Sequence, residues 1–126
     1  MGLQRIFDKE GEHIIGLLIP MIREFVKTYN DWQMVAMIQQ GDVPMDFMDI
    51  AIPYVFDHPE LATLGRRATG QEEFVEALAR ALPQHAALVR SPLGRAWCLK
   101  AGDAIGPQVL PKMAGHIFKS LFGGKG

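Results

Sequence analysis

Large apolar side chains return every three or four residues along most of this chain, the period of one helical face. The first such face carries Leu3, Ile6, Phe7, Ile14, Leu17, Leu18, Met21, Phe25 and Tyr29. No stretch alternates polar and apolar positions for long, and neither Asn-Gly nor Asp-Gly occurs, so strands are not expected. Proline and glycine divide the helical pattern into short pieces. Pro20 predicts a kink or break in the first, because a proline removes a backbone hydrogen bond inside a helix. Asp31 is a candidate cap for a helix over residues 32–40 that stops at Gly41. Asp42 before Val43-Pro44 predicts the next start, with an end near Pro53.

Further along, Asp57-His58-Pro59-Glu60 reads as a capping box opening a short helix that Gly65 closes. Thr69 to Glu72 reads as a second box, starting a helix that carries Phe74, Val75, Leu78 and Leu82 until Pro83 interrupts it. Ser91-Pro92 opens another through Trp97 and Leu99, with Gly102 as its expected stop, and a last helix runs from about Gln108 to Phe122. The expected fold is all-α: one compact domain of six to eight short helices over residues 1–122, followed by a Gly-rich tail at 123–126. Thr63 to Gln71 is the one candidate hinge. A length of 126 residues, 48% hydrophobic and 21% charged, suits a single globular core.

Charge changes the picture more than composition does. Residues 28–65 contain no Lys or Arg but hold Asp31, Asp42, Asp46, Asp49, Asp57 and Glu60. From residue 77 onward the order reverses, with Arg80, Arg90, Arg95, Lys100, Lys112, Lys119 and Lys125 against Asp103 alone. A net charge of −1 therefore conceals an acidic segment and a basic one. The single cysteine, Cys98, excludes an internal disulfide and favours a reducing, cytoplasmic setting. Acids near the N-terminus argue against a signal peptide, and the longest apolar run, Ile14 to Ile22, is too short to span a bilayer.

Candidate chemistry is sparse. Glu10 and His13 have the Glu-x-x-His spacing of di-iron bundles, but that motif must occur twice and here occurs once. No phosphate loop, dinucleotide fingerprint, zinc pattern or serine elbow is present. No catalytic residue, metal ligand or cofactor is nominated, and a non-enzymatic role is favoured. Two surfaces remain. Asp42, Asp46, Asp49, Asp57 and Glu60 form a candidate acidic surface for a basic partner. On the C-terminal helix, Lys112, His116 and Lys119 share a narrow strip while Met113, Phe118 and Phe122 lie on the broad apolar side, a pattern that suits docking to a partner or to an anionic membrane. The bases are dispersed between Arg80 and Lys125 rather than clustered, which disfavours nucleic acid. The expected function is protein–protein interaction or assembly, including self-association. The alternatives are a membrane-peripheral protein using its C-terminal helix, and an inhibitor whose acidic stretch occupies a basic groove.

Overall fold

A computed structural model describes the backbone of residues 7–118 and the side chains of residues 7–105. Within those bounds the secondary structure is helical throughout. The α-helices are α1 (Lys9–Thr28), α2 (Asp31–Gln40), α3 (Phe47–Asp57), α4 (Gly70–Ala81), α5 (Ala86–Arg90) and α6 (Pro92–Phe118), and two 3-10 segments, Pro59–Arg66 and Pro83–His85, join them. The all-α, single-domain expectation holds for these residues.

The periodic apolar face of α1 is the reason it becomes the central helix. Ile14, Ile15, Leu18, Met21, Ile22 and Phe25 are buried along it, chiefly against α4, which contributes Phe74, Val75, Ala77 and Leu78. α6 runs along the other side of the core and packs on the first 3-10 segment through the region of Leu61, Ala62 and Leu64. Four helices meet at one aromatic cluster: Phe25 of α1, Phe47 of α3, Phe74 of α4 and Trp97 of α6. Phe47 stands edge-on to Phe25 at 5.1 Å between centroids and to Trp97 at 6.3 Å, and Phe74 stands edge-on to Trp97 at 6.2 Å. Edge-to-face rings at these separations gain electrostatic attraction beyond the apolar area they bury.

Several boundaries differ from those read in the sequence. α1 passes through Pro20 without a break. Pro20 and Gly16, four residues earlier, are both exposed, so the carbonyl deprived of its partner lies on the wet side of the helix. The same reason lets α3 continue through exposed Pro53 to Asp57, with Asp49 exposed one turn before it. Asn30 rather than Asp31 caps α2, through a reciprocal box with Gln33, and Gly41 ends that helix with φ +77°. α3 begins at Phe47 rather than at Pro44. Asp57 closes α3 instead of capping the next segment, which is a 3-10 helix extending past Gly65 to Arg66. Thr69 makes no side-chain cap to α4; its hydroxyl donates to Glu73 at 2.9 Å. Gly102 does not stop α6, which continues to Phe118, so the two expected C-terminal helices are one.

The stretch from Thr63 to Gln71 is held by the most buried ion pair among the described residues. Glu73 is fully buried, and Arg67 donates to both of its oxygens, at 2.7 and 2.6 Å. A bidentate pair with a third donor from Thr69 satisfies the carboxylate and fixes the segment on α4.

Candidate functional site

The segment between α2 and α3 borders a concavity that includes Asp42, the first residue of the predicted acidic surface. Its geometry follows from how residues 41–46 are anchored. At the C-terminal end of α2, the Trp97 indole donates to the Asp42 carbonyl at 2.7 Å, and Lys100 Nζ donates to the Gly41 carbonyl at 2.5 Å. A lysine there also suits the negative end of α2. At the other end of the segment, the Tyr29 hydroxyl donates to Asp46 Oδ1 at 2.5 Å. That bond, with burial and the Asp46 charge, raises the Tyr29 phenol above its usual range. Asp46 makes no side-chain cap to α3; its Oδ1 accepts from Tyr29 instead.

Between these anchors the chain arches beside α6 and borders an open groove of about 500 Å³ lined by Asp42, Val43, Pro44, Met45, Phe47, Met48, Lys100 and Ala104. Phe47 and Met48 supply a buried apolar floor. Met45 sits on the arch and is 95% exposed, an unusual position for a large apolar side chain. Its exposure is not a consequence of a loose segment, since both ends of the arch are hydrogen-bonded. Asp42 lines the groove, and exposed Asp49 follows Met48 by one residue.

The structure divides the predicted acidic surface. Asp42 lines the groove, Asp46 is the last residue of the arch with its carboxylate on Tyr29, and Asp49 is exposed on the first turn of α3. Asp57 lies at the opposite end of α3, about 12 Å of helix beyond Asp49. Glu60, on the following 3-10 segment, stands 3.2 Å from His13; hydrogen bonds to its own backbone and to His13 hold its carboxyl below the ordinary range. Among the described residues, no Lys or Arg forms an ion pair with Asp42, Asp46, Asp49, Asp57 or Glu60. The arginines of the basic segment engage other acids: Arg80 with Glu12 and Glu76, Arg90 with Glu76, and Arg95 with Glu72.

Lys112, Met113, His116 and Phe118 occur on α6 beyond the described side chains, and Lys119 and Phe122 lie outside the described residues. The Glu10 and His13 side chains part company, Glu10 approaching Arg67 at 3.3 Å and His13 approaching Glu60. Among the described residues no group of three or more His, Cys, Asp or Glu is placed to hold a metal. Cys98 is buried, and burial drives its thiol pKa far up, the condition of an inert rather than a nucleophilic cysteine. No helix among the described residues is long and apolar enough to cross a membrane.

Sequence reasoning did not single out Met45 or Trp32. Trp32 is 76% exposed and, with Val35, Ala36 and Gln39, borders a shallow concavity of about 300 Å³ on the outer face of α2. Nothing in the sequence signals Met45, because the helix expected from Pro44 would have included it, whereas α3 begins only at Phe47. Comparison of the chain with known protein families, curated proteins and solved structures finds no match.

Proposed function

We propose that this protein is a non-enzymatic binding or assembly module, and that the arch and groove between α2 and α3 receive a basic amphipathic helix from a partner. The observation that carries the proposal is Met45, held almost fully exposed on a doubly anchored arch above an apolar floor. A flexible thioether side chain on a fixed backbone adapts to the apolar face of an incoming helix, and such helices dock through anchors at three- and four-residue steps. Asp42 and Asp49, without a basic side chain in ion-pairing contact, orient the basic face of the same helix. Anchoring at both ends of the arch lowers the ordering cost that binding must overcome.

The test uses a synthetic amphipathic helix of Lys, Leu and Phe, labelled for fluorescence anisotropy. The wild-type protein is expected to bind it with an affinity that falls as salt rises, because part of the attraction is between exposed charges. Met45→Asp should weaken binding by roughly tenfold or more, and Asp42→Lys with Asp49→Lys should remove most of the salt dependence. Equal binding by all three proteins would refute the assignment of this groove.

A further inference from the structure

We infer that the groove's occupant is the C-terminal half of α6 from a second copy of this chain. The inference rests on the groove assignment above and names its partner. Residues 106–126 contain Lys112, Lys119 and Lys125 and no acid. The sequence pattern, read at helical spacing, puts Lys112, His116 and Lys119 in one strip and Leu110, Met113, Ala114, Ile117 and Leu121 on the other side, with α6 itself extending to Phe118. That is the complement of a methionine-bearing groove with Asp42 in its wall and Asp49 exposed one residue after Met48.

The course of α6 decides between intramolecular and intermolecular docking. Ala104 of α6 is itself part of the groove wall, and the helix continues without interruption to Phe118. Fourteen residues of α-helix carry the chain about 21 Å along the axis from Ala104. The basic amphipathic segment therefore leaves its own groove behind, and returning to it requires breaking α6. Another copy's groove has no such restriction. Groove and helix are different parts of the chain, so the contact is heterologous: it closes into a ring or extends head to tail.

Charge exchange on the full chain tests this directly. Sedimentation of the wild type should show association that grows with concentration at low salt and recedes at high salt. Asp42→Lys/Asp49→Lys and Lys112→Glu/Lys119→Glu should each weaken association by roughly tenfold or more, with circular dichroism confirming that both variants remain helical. Mixing the two reversed variants restores opposite charge at each junction, and association should return. Failure of the mixture to associate overturns the pairing, as does association that survives either reversal. A wild type that stays monomeric at low salt overturns it too. If that monomer still binds the synthetic amphipathic helix, the groove assignment stands and only the second-copy occupant is lost. If it instead floats with vesicles of anionic lipid in a manner that Lys112→Glu/Lys119→Glu abolishes, the C-terminal segment serves a membrane and the inference is refuted.

Discussion

Gly70 and Gly102 are both buried helical glycines, yet the same substitution should act on them with opposite sign. A methyl group at Gly70 meets the Leu64 carbonyl oxygen at 2.0 Å, a contact only backbone movement relieves. Gly70→Ala should therefore destabilise the protein by about 2–3 kcal/mol in urea unfolding. At Gly102 the nearest atom is Leu64 Cδ2 at 3.6 Å, an ordinary contact, and the position lies inside α6. Gly102→Ala should stabilise by about 1 kcal/mol, the usual gain for replacing glycine within a helix. A loss there would contradict the continuity of α6. The buried pair gives a third expectation. Arg67→Met leaves Glu73 buried without its cation and should cost about 3–5 kcal/mol, while Arg67→Met/Glu73→Leu recovers most of that loss. An unchanged urea midpoint in the single variant would remove the pair from the account. Neither the Gly70 contact nor the Glu73 pair was legible in the sequence, since each depends on which loop the chain lays against α4. The identities of Phe74 and Trp97 as core residues were legible, because apolar periodicity reports burial wherever a helix has one wet side.

At the scale of elements, the helical content and most interruptions could be read from residue pattern, and the errors at Pro20, Pro53 and Gly102 share a cause. Proline and glycine were taken as stops at Pro53 and Gly102, but whether either ends a helix depends on burial. Pro53 and Asp49, four residues before it, are exposed, and Gly102 is packed against Leu64. The contact between α4 and α5 adds a pH expectation. Burial opposes ionisation of Glu76, but hydrogen bonds from Arg80 and Arg90 outweigh it and hold the carboxyl below its usual range. A folded-state value depressed below the unfolded one, near about 4.3, contributes stability that is complete above that pH and lost as pH falls through the folded value. Glu76→Gln should consequently flatten the acid limb of the stability profile below about pH 4.3. An acid limb as steep as that of the wild type would show that Glu76 does not set it.

Across the whole molecule, the charge asymmetry of the sequence acquires a more local form. The acids from Asp42 to Glu60 do not form ion pairs with the arginines downstream; those arginines bind Glu12, Glu72 and Glu76 and hold α1, α4, α5 and α6 together. Asp42, Asp46 and Asp49 could be singled out in the sequence as acids of one segment, but α3 begins only at Phe47, so of the three Asp49 alone lies on it. The groove was not legible, because it requires Trp97 and Lys100 to cross to the end of α2, contacts between residues 55 and 59 positions apart. The proposed role depends on that groove accepting an amphipathic helix. Methyl resonances of the methionines report this most directly, since Met45 and Met48 line the groove while Met21 and Met34 are buried in the core. Titration with the synthetic basic helix should shift the Met45 and Met48 methyls and leave those of Met21 and Met34 in place. Unmoved Met45 and Met48 resonances at saturating peptide would contradict the account.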